Sequence, residues 1–461
     1  MKSQSSHFSI LFLAAGICTV SADQFKGQQE QRYVYTPFTA MSSPVVLPMD
    51  GKTSEADWLT GMDVSLGGIF FPHIHVDTAL GGTTGDQSLL GVGHHDPIRD
   101  GFTAQNIEFG LSGRFNEYFE AFGTFAGTVN LNDDFDGIYE EWFAKLKNLP
   151  GGFEIRAGRV YNRFGIQNTY HPHGFDWADQ YLVNARMLGE DSMTTIGGEV
   201  SWRLPVSWTS QLDVAVGVAP DPHDHDHEEG AGPEPEFEAE GAYFDDVMTV
   251  ANWTNIYNFN DFHQYRAGVS GAFGDNRWGR GTQVYGAHFE YQWRENGFEP
   301  GGRYLRWRTE AMWRRYGAIS GHLPGEEEDA HGHEEEGEHH DEHEGEHHDG
   351  HGEEHHDEHQ DEDHGDVRRS ARFSDFGFYS SLLYGLPSNL ELGLRAEYVT
   401  GDTAVGLDNR FRVSPGITYY INDARTLKFR LQYNYDHSND FGDEHSVWGQ
   451  VSFSWGGPEV R

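Results

Sequence analysis

A single cysteine, Cys18, occurs in 461 residues, and it falls inside an N-terminal stretch with the features of an export signal. In "MKSQSSHFSILFLAAGICTVSA", Lys2 precedes an apolar run from Phe8 to Val20, and Val20-Ser21-Ala22 supplies the small residues of a cleavage site. The run is too short to span a bilayer. Ile17 stands where a lipoprotein signal would need a small residue. Residues 1–22 are therefore expected to be a signal peptide, and the mature chain to lack both disulfides and thiolate metal sites. No later run is apolar and long enough for a transmembrane helix. Positive charge is also scarce: 32 Lys and Arg face 74 Asp and Glu, a net charge of −42. The excess is local. Residues 221–246 hold 11 acidic residues and residues 326–366 hold 21, with no Lys or Arg in either stretch. No basic surface is left to displace phosphate counterions, so a nucleic-acid partner is excluded. No short motif ties Ser, His and Asp into a nucleophile arrangement, and an enzyme is not expected.

What is present in abundance is period-two alternation, from Gly61 to the C-terminus. In "NLELGLRAEY", Leu390, Leu392, Leu394, Ala396 and Tyr398 share one face, opposite Glu391, Gly393, Arg395 and Glu397. "LKFRLQYNY" sets Leu427, Phe429, Leu431, Tyr433 and Tyr435 against Lys428, Arg430, Gln432 and Asn434. Sixteen candidate strands can be drawn, the first over 61–71 and the last over 445–455. A soluble sandwich alternates in the same way, so the connections have to discriminate. Every second one is short ("RFNEY", "NLPGG", "LPVSW", "NFNDF", "GLPSN", "INDAR"), and several of the others are very long. An even strand number with short turns on one rim and long loops on the other is the pattern of an outer-membrane barrel. The strands are long enough to cross a bilayer, and closure removes exposed edges.

The expected fold is thus all-β: a single antiparallel transmembrane β-barrel of about 16 strands over residues 59–461, preceded by an N-terminal periplasmic segment at 23–58. The expected location is the outer membrane of a Gram-negative-type bacterium, in contact with its lipid and lipopolysaccharide. A homotrimer is the assembly considered. Even strand number puts both termini on the periplasmic rim, so the long connections face outward. Two of them, at 220–245 and 319–371, are expected to be disordered His/acid-rich loops, since they have nothing to bury.

Histidines collect in those connections. "DPHDHDHEE" carries His223, His225 and His227. The longer run carries His331, His333, His339, His340, His343, His347, His348, His351, His355, His356, His359 and His364 among carboxylates. Neutral imidazole with carboxylate is a donor set for zinc, copper(II) or nickel; zinc is favoured, and affinity order alone would choose copper. Such runs make many weak, exchangeable sites rather than one closed site. Carboxylate-only runs would read as solvated loops. Twelve histidines in 34 residues tip the reading toward metal capture. "FFPHIHVD" and "GVGHHD" add His73, His75, His94, His95 and Asp96, with Pro72 marking the end of the first strand. "YHPHGFDWAD" adds His171, His173, Asp176 and Asp179 in a compact loop able to fold inward, although the same residues could simply satisfy backbone groups.

At "GGFEIRAGRVYNRFGIQN" the chain resembles phosphate-selective-porin-type channels: a strand bearing Arg-x-Gly-Arg, then Phe-Gly. The following "HPHGFDWADQYLVNARMLGED" is similar to porin-like proteins described as zinc-regulated outer-membrane proteins. The resemblance implies that Arg156 and Arg159 frame a constriction loop. Arg266, Arg306, Arg308, Arg314, Arg395, Lys428 and Arg430 are expected to face the pore, but so are Asp213, Glu310, Glu391 and Glu397, which departs from an anion-selective lining. Residues 23–58 are too few for a plug domain, and sixteen strands too few for a 22-stranded transporter, so passive diffusion is favoured. The expected function is an outer-membrane diffusion channel whose outer loops capture divalent metal, with no covalent cofactor. A general or anion-preferring porin with a metal-buffering surface, and a non-transporting metal-sequestering protein, are the alternatives.

Overall fold

The computed structural model describes residues 65–85, 92–97, 100–129, 135–220, 237, 242–298, 302–320, 369–421, 425–456 and 459–460. The alternating segments form β1 (Phe70–Thr83), β2 (Gly101–Arg114), β3 (Phe119–Val129), β4 (Phe135–Leu149), β5 (Phe153–Tyr161), β6 (Thr194–Arg203), β7 (Thr209–Val218) and β8 (Phe244–Asn260). Then follow β9 (His263–Asn276), β10 (Gly281–Arg294), β11 (Tyr304–Ile319), β12 (Ser370–Gly385), β13 (Leu390–Val399), β14 (Arg410–Tyr420), β15 (Leu427–Ser438) and β16 (Gly442–Gly456). Each pairs antiparallel with its sequence neighbours, and β1 closes on β16 in a register running from His73↔Gly456 to Thr83↔Ser446.

The polarity is inverted relative to a soluble protein. Outward Leu431 and Leu394 are 56% and 51% exposed, while inward Arg395 and Glu397 are fully buried. Water would not tolerate that arrangement; a hydrocarbon exterior requires it, together with backbone hydrogen bonds satisfied all the way round. The protein is an outer-membrane-type transmembrane β-barrel. The start of β1 and the end of β16 share the rim of short turns, which is periplasmic on this logic, and the β1–β2, β5–β6, β7–β8 and β11–β12 connections leave the opposite rim. The His/acid runs, with His223, His225, His227 and the twelve histidines from His331 to His364, lie outside the described residues, as do residues 1–64.

The first strand differs from the expectation of 61–71. Proline at position 72 does not end it, because register with β16 begins only at His73 and the missing N–H falls beyond that ladder. His73 and His75 therefore belong to the wall of β1, near the periplasmic rim, and not to an outer loop.

The β5–β6 connection enters the barrel. It contains two 3-10 turns (Gln167–Thr169 and Pro172–Gly174) and α1 (Leu182–Leu188). Phe164, Trp177, Tyr181, Leu182, Val183 and Met187 pack against inward Val250, Val284, Met312, Tyr379 and Leu383, giving the lumen an apolar core of its own. Backbone donors of this plug are met by the wall: Ile166 and Gln167 N–H donate to Glu310 (3.0 and 2.8 Å), Leu182 to Glu397 (2.7 Å) and Ala178 to Gln432 (2.7 Å). Gly165 sits at φ +63°, with an added Cβ only 1.9 Å from Glu310 Oε2, so the plug's first turn needs glycine there.

Candidate metal centre

The H-x-H spacing of β1 puts both rings on the inward face, since side chains repeat every second residue in a strand. His73 is buried and stacks on Phe122 at 5.5 Å. The neighbouring β2 brings Gly110 opposite His73 and Glu108 opposite His75. A Cβ at position 110 would lie 1.7 Å from His73 Nε2, so this glycine leaves the space that the ring occupies. Neither ring nitrogen of His73 has a hydrogen-bond partner, whereas His75 donates or accepts at Ser454 Oγ (2.9 Å) through Nδ1. Buried polar atoms left in this way cost on the order of 1–3 kcal/mol each unless something binds them.

Two bulges aim further side chains inward. Between β1 and β2 the register shifts at Asp77/Thr78, which turns both Gln105 and Asn106 into the lumen. Between β3 and β4 it shifts at Thr124/Ala126, so the consecutive Glu140 and Glu141 are both buried instead of alternating. The plug descends to meet them. His171 Nδ1 lies 3.1 Å from Glu108 Oε1 and 3.0 Å from Glu140 Oε2, and its Nε2 lies 3.1 Å from Glu141 Oε2. His173 Nδ1 lies 2.8 Å from Glu108 Oε2, and its ring stacks on His75 with centroids 3.6 Å apart.

The C-terminal tail supplies the last carboxylate. Val460 is buried with Phe122, Phe143 and Val160, and its N–H donates to Ser112 Oγ at 3.2 Å. This anchor turns Glu459 into the lumen, 3.2 Å from His75 Nε2, 3.3 Å from His173 Nε2 and 4.0 Å from His73 Nε2. Burial works against charge on His173, but the Glu108 and Glu459 carboxylates outweigh it and push this imidazole up to about 9. Burial likewise works against ionisation of Glu459, yet His173, with support from His75 and His73, holds it well below the usual carboxylate range. Two sets of ligand atoms each lie within 4.8 Å of one another: His73, His75, Glu108 and Glu459, and Glu108, His171 and His173. Two imidazoles with one or two carboxylates, largely buried and without thiolate, suit a zinc-class divalent ion.

The structure thus joins His73 and His75 to His171 and His173. His95 extends the row, with Nε2 3.6 Å from Glu140 and Nδ1 3.0 Å from the Gln105 carbonyl. His94 packs edge-on against His95 and lies outside both ligand sets. Asp96 is placed structurally: it accepts from the N–H groups of Val92, Gly93 and Gln180 at 3.0, 3.1 and 2.7 Å. Burial first, then the charge of Asp179, pushes it up to about 6. Asp176 and Asp179 are set against arginines, away from the imidazoles. Asp176 accepts from Arg306 and from Arg308 (3.2 Å), and Asp179 from Arg395 (2.7 Å) and Arg412 (2.9 Å). The arginine charges hold Asp179 below its ordinary value against the effect of burial.

Arg159 departs from the expectation, since it shares the outward face with its register partners Trp142 and Ile196; the other wall residues expected to face inward do so, and they are largely neutralised. Arg156 makes a bidentate pair with Glu199 (2.9 and 3.0 Å), Arg314 pairs with Asp375, and Arg308 with Glu290 (2.7 Å). Arg163 on the plug pairs with Asp213 at 2.8 Å. Lys428 Nζ and Arg430 donate to the plug carbonyls of His173 (3.1 Å) and Phe175 (2.9 Å). Glu391 accepts from Tyr304 and Tyr420, and Arg266 is buried on β9. Glu108, Glu140, Glu141 and Glu459 were not anticipated. Glu108 could have been found as an inward carboxylate on the strand beside H-x-H, whereas the bulge at Glu140 and the inward tail leave no mark in the residue pattern.

No model of a known protein family matches the chain. An uncharacterized protein of Aquifex aeolicus is 31% identical over 106 residues; the match covers 23% of this chain and 21% of that protein, so the chain matches about a fifth of that relative's length. Among solved structures, the anion-selective porin from Comamonas acidovorans aligns with 84% of this chain and 99% of its own, at 8% identity and a TM-score of 0.49. Salmonella typhi OmpF in complex with daunomycin aligns with 86% and 100% at 13% identity and TM-score 0.46. The trimer form of Vibrio cholerae OmpT aligns with 84% and 98% at 9% identity and TM-score 0.42. At that level nothing about solute, selectivity or assembly transfers to this chain.

Proposed function

We propose that the protein is an outer-membrane diffusion channel for divalent metal, zinc foremost, gathered at the outer mouth by the His/acid loops and passed through the luminal His/Glu centre toward the periplasm. The observation that supports this best is the pair of orphaned ring nitrogens on His73, buried in the lumen beside His75, Glu108 and Glu459. Nothing in barrel stability calls for them there. The loops would raise local cation concentration as an acidic funnel does. The arginine ladder favours anions less than its count suggests, because plug aspartates and wall glutamates are paired with it.

A second reading is a surface protein that sequesters metal without transport. The plug's contacts with so many strands favour it: inward side chains from β2 round to β15 touch residues 163–182. Zinc flux into liposomes holding the purified protein and a trapped zinc dye separates the two. Channel activity requires flux that falls when His75 and Glu459 are replaced; sealed vesicles with metal bound outside would establish sequestration. In cells under zinc limitation, deletion of residues 325–366 should lower accumulation severalfold, and equal accumulation would remove that loop from the transport route.

A further inference from the structure

We propose that the luminal centre is two adjacent divalent-cation sites in file, sharing the Glu108 carboxylate as a bridge. This rests on the reading of the centre as a metal path. Six side chains converge there, whereas one tetrahedral zinc-class ion takes four. They divide by chain segment. The wall set is His73 and His75 of β1 with Glu459 of the tail. The plug set is His171 and His173. Glu108 belongs to both sets: its Oε1 faces His171 Nδ1 at 3.1 Å, its Oε2 faces His173 Nδ1 at 2.8 Å, and one of its oxygens lies within 4.8 Å of the ligand atoms of His73, His75 and Glu459. A carboxylate shared in this way bridges two ions a few ångströms apart, about 3.5–4 Å in two-metal sites generally. Glu140 Oε2, 3.0 Å from His171 Nδ1, is placed to complete the plug set, and Glu459 completes the wall set while also reaching His173 at 3.3 Å.

Two dications sharing one carboxylate repel each other, and each receives only part of its charge. The second ion therefore binds more weakly than the first and loosens it. Conduction through a site of high affinity needs such a neighbour, because a single well-made site would hold its ion. The division follows chain segment: one ion rests on the plug and the other on wall and tail.

The test is a count of retained ions on the full-length purified protein. Cobalt(II), a zinc stand-in with visible d–d bands and a paramagnetic signal, is added, and the weak loop sites are emptied by gel filtration against a competing chelator. Wild type should retain two ions with a magnetically coupled signal, the second bound roughly tenfold more weakly than the first. Glu459→Gln, which changes only the tail, and His171→Gln, which changes only the plug, should each leave one uncoupled ion. Glu108→Gln should abolish the coupling. One retained ion in wild type, or two that are uncoupled and indifferent to Glu108→Gln, would overturn the proposal. Zinc flux into liposomes is read in parallel. Flux with a single retained ion sinks the two-ion file and leaves the channel standing. Two coupled ions without flux does the reverse.

Discussion

Asp179→Asn should open the plug. Asp179 accepts from Arg395 (2.7 Å), Arg412 (2.9 Å), Gln432 (2.6 Å) and Asn434 (2.9 Å), all on the wall of β13–β15. Asparagine keeps the shape and removes the charge. Breaking a buried ion pair from one side costs about 3–5 kcal/mol because the other charge is stranded. Here Arg395 keeps Glu397 at 2.9 Å and Arg412 keeps Asp436 at 2.9 Å, so the lower figure applies. A loss of about 3 kcal/mol in docking shifts the seated-to-released ratio by roughly 150-fold, at tenfold per 1.4 kcal/mol. The barrel ladder is untouched, so the variant should still assemble. Single-channel recording in planar bilayers should show longer or more frequent open events than wild type, and protease should cut within 162–193 faster. The variant also removes one cause of the raised Asp96 value, which should fall from about 6 toward 3.8. Wild-type conductance together with wild-type protease resistance would refute the idea that buried ion pairs hold the plug.

In chelator-treated protein, the tail contact should weaken as pH rises. His173 is raised from 6.5 to about 9 by Glu108 and Glu459 against burial, so its stabilisation is complete below about pH 6.5 and is lost as pH climbs through about 9. A cysteine placed at Val460 should label faster across that interval; a flat profile would dismiss the His173–Glu459 contact as a tie. Gly110→Ala should leave the barrel assembled while displacing His73, because its Cβ would meet Nε2 at 1.7 Å; ions retained after chelator filtration should fall, and unchanged retention would exclude His73 as a ligand. Gly165→Ala should disturb the plug at Glu310 and increase protease cutting of residues 162–193, an effect that should be absent if the φ of +63° is not required.

Alternation and turn length were enough to read a closed barrel of about sixteen strands with His171 and His173 on a connection able to fold inward, because both are local properties of the chain. A period of two needs only successive residues, and a short turn needs only a few. The same local reading placed Pro72 at a strand end and so put His73 and His75 in an outer loop; whether a proline's missing N–H matters depends on how far β16 reaches, which no local window contains. Asp176 and Asp179 looked like ligands, three and six residues beyond His173. Their partners are Arg306, Arg308, Arg395 and Arg412, more than a hundred residues distant, and only closure brings those charges across the lumen.

Composition therefore determined what kind of centre the chain could build: with Cys18 its single cysteine, nitrogen and oxygen were the donors available in number. Tertiary structure decided where that centre stands and which side chains make it. Two bulges turned Gln105 and Glu140 inward, a buried valine drew Glu459 into the barrel, and register set Glu108 between β1 and the plug. Each of these is a relation between segments far apart in the chain, and relations of that kind exist only once the ladder has closed.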